Sequence, residues 1–347
     1  MKIASIALRT PSLEVSNESI LSLIARHNTH QAAASVTQYQ REVALLLRRT
    51  GSVTRFYRDL DRGEKALDFI TDAITAALAG AALDRSDVDL LIYCGVGRGF
   101  IEPANAYFIA EKLGLHCQGF DLTDACMSWT RALELAGFYL QCDGIDNVLV
   151  VNGEFTVYEH GYPQVFTIGD RNRLAYTFPA YTIGEGATAT LVRASDQPWR
   201  FDYQADPSAA ALCNIPLQQY ADFSAADERL ALNGIGQFVS FGAAMFERAE
   251  ASFAELIGRS AINLAQADLI FPHGAAARPV NQLLEKLGIP KNQVFNEAFA
   301  SYGNLISASI PAAMLLAEQQ GRLRRGMQCA ICPASAGMSF ALAEFTY

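Results

Sequence analysis

The feature that most constrains this chain is a long internal duplication, one copy in each half. Asp89-Leu-Leu-Ile-Tyr93 and Asp268-Leu-Ile-Phe-Pro272 both join an acidic start to a short apolar run. From Asp89 to Cys126 is 37 positions and from Asp268 to Asn304 is 36; each end point opens a helix of small residues, expected over Trp129–Cys142 and Ser307–Glu318. A Gly-containing turn and a strand follow each helix, at Asn147–Asn152 and Met327–Pro333. Each copy then closes on a Gly-led strand, Gly186–Val192 and Gly337–Ala343. This is far longer than a solenoid period, and the alternation of short apolar runs with amphipathic helices marks a layered α/β protein. The expectation is two similar α/β halves, residues 1–195 and 196–347, meeting around Ala194-Ser-Asp-Gln-Pro198. Cys126 and Asn304 should then stand at equivalent corners, with both helix N-termini turned toward one cleft.

Cys126 lies in Phe120-Asp-Leu-Thr-Asp-Ala-Cys126-Met-Ser-Trp129, the seam between an apolar strand and the first of those helices. A thiol there faces unpaired backbone N–H groups and the positive end of the helix dipole. Both favour thiolate and are expected to lower its pKa, which makes a nucleophile.

Composition excludes several function classes. With 51% hydrophobic and 18% charged residues, the 347-residue chain has enough apolar matter for a large core. A formal charge of −9 argues against a general nucleic-acid surface. Local basic groups remain, Arg322, Arg324 and Arg325 in one cluster and Arg171 with Arg173 in another; each reads equally as a phosphate or acidic-carrier patch or as a solvated helix end. No run approaches the roughly 20 apolar residues of a membrane span, and Met1–Arg9 is too short for a secretory signal, so a cytoplasmic protein without membrane insertion is expected. Seven cysteines, an odd number, read as reduced thiols. Cys329-Ala-Ile-Cys332 falls inside a strand-like run, where residues three apart face opposite sides, so no metal is expected. Gly95-Val-Gly97-Arg-Gly99 has Phe100 where a dinucleotide loop needs its third glycine.

Thiol chemistry requires a proton partner and an oxyanion stabiliser. Of the five histidines, His27 and His30 lie in a polar, exposed N-terminal segment, His116 in a turn and His160 in the loop-like Tyr158–Pro163. His273 differs, directly following the strand Asp268–Pro272 and preceding the small residues Gly274-Ala-Ala-Ala277. Strand C-terminal ends are where α/β folds bind ligands.

Cys126, His273 and Asn304, in that order and spacing, resemble the thiolase-fold condensing enzymes, in particular β-ketoacyl-ACP synthase III. Thr50-Gly-Ser-Val-Thr-Arg55 resembles the T-G-I-x-x-R element of that family, and Glu102–Gly114 its helix before the nucleophile strand. Gly184-Glu-Gly-Ala-Thr-Ala189 resembles G-D-G-A-G-A, Pro272–Arg278 resembles P-H-Q-A-N-x-R, and Tyr302–Pro311 resembles Y-G-N-T-S-A-A-S-I-P. The resemblance implies a layered α-β-α-β-α core. It also implies acyl transfer from a CoA or ACP thioester to Cys126, followed by Claisen condensation with a second thioester. The backbone N–H groups of Cys126 and Ala336 would hold the oxyanion, His273 and Asn304 the enolate, and Arg278 the carrier. No other cofactor is implied, and the assembly would be a homodimer.

The lining departs from the family. Gly274 and Ala276 replace Gln and Asn, Pro333-Ala-Ser-Ala-Gly337 replaces a glycine-rich loop, and Met127 follows the nucleophile. Glu102 stands where an aromatic residue is usual, which resembles the branch joining two acyl thioesters without decarboxylation. There a Glu acts as base across the dimer interface, and Val151-Asn-Gly-Glu-Phe155 is also closer to that branch. Read from the residue alone, Glu102 is equally an acid at a helix N-terminus. An acyltransferase to oxygen or nitrogen and a non-catalytic subunit of a heterodimer are the rival readings.

Overall fold

The computed structural model covers residues 1–347 and describes all of them apart from the side chain of Arg171. The chain opens with β1 (Lys2–Arg9). A small hairpin of β2 (Leu13–Ser16) and β3 (Thr54–Tyr57) then carries α1 (Asn17–His27) and α2 (Ala33–Thr50) between its strands. Ser16 caps α1 by accepting from Ser19 N, and Gly51, at φ 81°, ends α2 in the left-handed region. The first half continues through α3 (Ala66–Gly80), β4 (Leu90–Cys94), α4 (Asn105–Leu113), β5 (Gln118–Leu122), α5 (Ser128–Tyr139) and β6 (Asn147–Glu154). It ends with two single turns, α6 (Val157–His160) and α7 (Leu174–Thr177), and β7 (Gly186–Arg193).

The second half comprises β8 (Trp199–Ala205), the short pair β9 (Cys213–Asn214) and β10 (Val239–Ser240), α8 (Gly242–Arg259), β11 (Leu269–Pro272) and α9 (Ala277–Lys286). After these come α10 (Ala298–Tyr302), α11 (Ser309–Gln319), β12 (Gln328–Cys332), β13 (Ala334–Ser335) and β14 (Ser339–Thr346).

The two main sheets repeat one topology. The first runs β1-β7-β6-β4-β5, with β1 and β6 antiparallel to β7 and with β4 parallel to both β6 and β5. In the second, β8 and β12 flank β14 antiparallel, β11 lies parallel to β12, and a parallel bridge from Ile270 to Val294 stands where β5 stood. The duplication reaches single hydrogen bonds. Asp89 N donates to Asn147 O and Asp268 N to Gln328 O, while Asp89 Oδ2 and Asp268 Oδ2 accept from Asn147 N and Gln328 N at 2.9 and 2.8 Å. The shared acidic start therefore has a physical job, tying one parallel strand to the next.

Three layers of helix enclose these sheets. α3 and α4 cover the outer face of the first and α8 and α9 that of the second, while α5 and α11 share the middle with both inner faces. A helix between two sheets is apolar all round, and α11 accordingly buries Ile310, Pro311, Ala312, Ala313, Met314 and Ala317. This is the expected α-β-α-β-α order. β7 ends at Arg193 and β8 begins at Trp199 in the other sheet.

Some local expectations shift. The central helices start later than Cys126 or Asn304, each behind a short tight turn, and α5 ends at Tyr139 rather than Cys142. Cys329 and Cys332 face different core clusters, as strand geometry requires. His27 is not exposed: its Nε2 lies 3.1 Å from Tyr162 Oη and its ring stacks on Phe166. The Arg322–Arg325 cluster is spent on its own chain. Arg325 donates to Ile3 O and Ala4 O, Arg324 to Gly321 O, and Arg322 pairs with Glu297. Of the other basic pair, Arg173 donates to Asn233 Oδ1, and the Arg171 side chain lies outside the described residues. Gly95 and Gly97 serve packing, because a Cβ on Gly97 would stand 2.5 Å from Gly153 O. Among the described residues, no helix is long and apolar enough to cross a membrane, and no group of three or more His, Cys, Asp or Glu could hold a metal ion.

Candidate active site

Cys126 sits in the turn Ala125–Met127 between β5 and α5. Ala125 adopts φ 45°, a left-handed conformation that costs a non-glycine residue roughly 1–2 kcal/mol. The surroundings hold it there. Ser128 Oγ accepts from Asp124 N and donates to Ala125 O, both at 2.8 Å, and Met127 N donates to Asp124 O at 2.9 Å and to Ser335 Oγ at 3.2 Å.

The second half builds the same turn. Ile306 adopts φ 50°, Ala308 N donates to Leu305 O at 2.8 Å, and α11 follows as α5 does. This register equates Ala125 with Ile306 and Cys126 with Ser307, so the expected pairing of Cys126 with Asn304 is corrected: Asn304 is the counterpart of Thr123. Asn304 is nevertheless firmly placed. Its N–H donates to Thr182 O, its C=O accepts from Gly184 N, and its Oδ1 accepts from Ile306 N at 2.9 Å. With Oδ1 so engaged, Nδ2 is the amide's free donor.

His273 follows the C-terminal end of β11 and is 7% exposed. Its Nδ1 is buried with no partner among the described residues. Burial alone lowers its pKa to about 4, so the ring is neutral at pH 7.

Cys126, His273, Asn304 and Ala336 all line one cavity of about 600 Å³. Its walls are largely apolar, from Val157, Val165, Phe166, Phe178, Phe238 and Met245 on one side to Phe253, Val280, Leu283 and Leu284 deep in the second half. Arg49 and Thr50, at the end of α2, stand in the same lining. Among the described residues, no aspartate or glutamate contributes to this wall.

The thiol does not behave as the sequence led one to expect. Cys126 is half-buried, but its exposed part faces a cavity sunk in the protein. Desolvation pushes its pKa well above the ordinary value, with smaller contributions from Cys213 and Glu154. A helix dipole is worth about 0.3–1 kcal/mol, less than one pKa unit, and burial in an apolar site exceeds it. The resting pair is therefore thiol and neutral imidazole.

Glu102 is exposed, in the segment before α4, and does not line the cavity of its own chain. Arg278, also exposed, packs its stem near Gly51 rather than against the lining. Sequence reasoning missed four residues. His160 lines the cavity from α6, with Nδ1 2.8 Å from Gly236 O. Cys213 lines it from β9, with burial raising its thiol to about 11. Ser335 and the wholly buried Glu154, whose carboxyl burial pushes up to about 7, hold the two turns. The last two occupy matching positions after β12 and at the end of β6, a match that the register of the two turns reveals.

Residues 257–347 match the family model described as 3-oxoacyl-[acyl-carrier-protein (ACP)] synthase III C terminal. The β-ketoacyl-[acyl-carrier-protein] synthase III of Neisseria gonorrhoeae is 28% identical over 282 residues, 80% of this chain and 82% of that protein. Its Neisseria meningitidis counterpart is 27% identical over the same span. A cysteine-to-serine variant of Xanthomonas campestris OleA with bound lauric acid and lauroyl-CoA superposes with TM-score 0.80 at 21% identity, covering 99% of this chain and 98% of that one. Cerulenin-bound OleA gives 0.81 at 21%, covering 99% and 96%.

The chain has the thiolase-like fold. Within it, the Cys126 turn opens the central helix of the first half and His273 stands at a strand end of the second. Asn304 precedes the matching turn.

Proposed function

We propose that this chain is an acyl-thioester condensing enzyme in which Cys126 carries the first acyl group. The observation that carries the reading is the meeting of Cys126, His273, Asn304 and Ala336, from four separate segments, on one apolar cavity. Cys126 Sγ attacks the donor thioester carbonyl, the carbonyl oxygen rests on the N–H groups of Cys126 and Ala336, and the carrier thiol leaves with the proton. The second thioester then forms an enolate, by loss of CO2 from a malonyl group or of an α-proton to a base, and the enolate oxygen takes hydrogen bonds from His273 and from Asn304 Nδ2. Two neutral donors suit charge that develops only in the transition state. The enolate carbon attacks the acyl carbonyl, the Cys126 sulfur departs, and a β-ketoacyl thioester results. Cavities of 300–1,000 Å³ take drug-sized ligands, and walls of this apolar character fit alkyl chains. Arg49 and Arg278 offer positive charge to the phosphates of CoA or of a carrier protein.

The missing wall carboxylate favours a second copy of the chain as partner. Condensation without decarboxylation needs a base to take the α-proton, and beside its imidazoles the lining offers only thiols and a phenol whose burial holds them protonated. Glu102 is exposed beside α4, next to Phe100, Ile101 and Tyr107, large apolar residues that also face solvent, and β5 is an edge strand. A dimer along that edge would cover the apolar residues and present Glu102 to the other copy's cavity. The lauric acid and lauroyl-CoA bound to the similar OleA structure, and the β-ketoacyl-[acyl-carrier-protein] synthase name of the Neisseria relatives, support acyl thioesters as the substrates.

Product analysis by mass spectrometry, with malonyl and simple acyl extenders offered separately, tests the reading. A β-ketoacyl product from either extender supports it and identifies the variant. An ester or amide, with no carbon–carbon product, would establish the acyltransferase instead.

A further inference from the structure

We infer that Ser335 and Glu154 are a matched pair of positioning residues, each reaching across from one half to hold the reactive turn of the other. The inference rests on the roles given above to Cys126 and Asn304.

Ser335 follows β12, and Glu154 closes β6 at the position 181 residues earlier, the same interval that separates Cys126 from Ser307. Ser335 Oγ accepts from Met127 N and donates to Asp124 O, both at 3.2 Å, so it grips both ends of the Cys126 turn. Glu154 grips the matching turn. Its Oε1 accepts from Ser307 N at 3.1 Å and from Ser307 Oγ, and its Oε2 accepts from Val96 N at 3.1 Å. Ser307 Oγ in turn accepts from Asn152 Nδ2 at 2.8 Å. The residue before Ser307 is Ile306, whose N–H holds Asn304 Oδ1. Hydrogen bonds at either end of the Ile306–Ser307 peptide therefore link the carboxyl of Glu154 to the amide that faces the cavity.

A cross-half tie does not require a carboxylate, since Ser335 makes one with a hydroxyl. Glu154 is wholly buried, and a buried carboxyl is costly unless its oxygens are satisfied. What it adds over serine is reach: one oxygen fixes the Asn304 turn and the other fixes Val96, itself part of the cavity wall. The two clamps thus serve different half-reactions, because Cys126 accepts the acyl group whereas Asn304 is needed only when the enolate forms.

Rapid-quench intact mass gives the rate of Cys126 acylation by an acyl-CoA, and product formation gives condensation. In Glu154→Gln the amide presents N–H₂ toward one of the backbone or hydroxyl donors whichever way it turns. Acylation should stay within about 3-fold of wild type, while condensation falls about 10- to 100-fold, the scale of a sub-ångström to 1 Å misplacement. Ser335→Ala should instead slow acylation about 10-fold, the half-reaction that Glu154→Gln spares. If Glu154→Gln lowers both half-reactions together in step with Tm, or lowers neither, the pair is only structural and the inference falls. Should Glu154→Gln not fold, Ser307→Ala removes the hydroxyl that shares Oε1 with Ser307 N, loosening the grip on the same turn, and should give the same split in smaller measure. The crystal structure of Glu154→Gln, or of Ser307→Ala in its place, needs no turnover. Separation of Asn304 Oδ1 and Ile306 N beyond 3.5 Å is expected, and an intact contact near 2.9 Å overturns the clamp. A wild-type protein that accepts no acyl group would refute the proposed function and leave this structural result to decide the clamp.

Discussion

Ala125 and Ile306 stand 181 positions apart and share the same left-handed backbone, at φ 45° and 50°. Each starts a tight turn into a central helix, and each is held by a side chain from the opposite half. One turn ends on a thiol open to the cavity and the other on the buried hydroxyl of Ser307. Duplication supplied two equivalent corners, of which one carries the Cys126 thiol and the other steadies Asn304.

Burial sets the reactivity of the thiol. Because desolvation holds the Cys126 pKa well above the ordinary 9.0, alkylation by iodoacetamide should be slow at pH 7 and still rising with pH at 9. A plateau below pH 8 would mean that the helix dipole wins after all. Residual alkylation in Cys126→Ser gives the background to subtract.

His273 and Glu154 tilt stability in opposite directions. His273 has a folded pKa of about 4, below its unfolded 6.5, so its contribution is full above pH 6.5 and is lost as pH falls toward 4. Glu154 has a folded pKa of about 7, above its unfolded 4.5, so its contribution is full below pH 4.5 and is lost as pH rises toward 7. Each is worth about 3 kcal/mol at most. Between pH 4.5 and 6.5 the slopes oppose one another in the wild type. Urea midpoints of His273→Gln should therefore fall more steeply than wild type as pH rises, and those of Glu154→Gln more steeply as pH falls. Profiles parallel to wild type would contradict these assignments.

Gly184 lies against the Asn304 loop so closely that an added Cβ would stand 2.0 Å from Tyr302 O. Gly184→Ala should destabilise the protein by about 1–3 kcal/mol and cut condensation more than acylation, because the backbone pushed aside leads into Asn304. Thermal unfolding and the two half-reaction rates measure this, and an unchanged Tm would be incompatible with the packing.

If Glu102 serves the other copy's cavity, Glu102→Gln should abolish condensation of two simple acyl thioesters while leaving acylation of Cys126 intact. Mixing Glu102→Gln with Cys126→Ser subunits, after dissociation and reassembly, should restore about a quarter of wild-type turnover, since half of the random dimers hold one complete site. No recovery, in mixtures shown to contain heterodimers, would reduce Glu102 to a helix-terminal acid.

Much of this architecture was legible in the sequence because duplication repeats physical requirements. Asp89 and Asp268 recur because each ties two parallel strands, and the buried runs of β4, β6, β11 and β12 recur because each lies between helical layers. Cys126, His273 and Asn304 could be picked out from strand ends and turns. Other features depend on contacts that spacing does not encode. The raised thiol pKa comes from walls contributed by distant segments, Phe166 and Met245 among them. Ser335 and Glu154 differ chemically, so their equivalence emerges only when the register of both turns is known. His160 and Cys213 reach the cavity through loops whose paths no periodicity dictates.

Intact-protein mass spectrometry after incubation with lauroyl-CoA tests the central claim most directly. The account predicts one acyl adduct per chain, localised to Cys126 by peptide mapping, absent from Cys126→Ala and discharged when a second thioester is added. No adduct on the wild type, or an adduct that persists in Cys126→Ala, would contradict it.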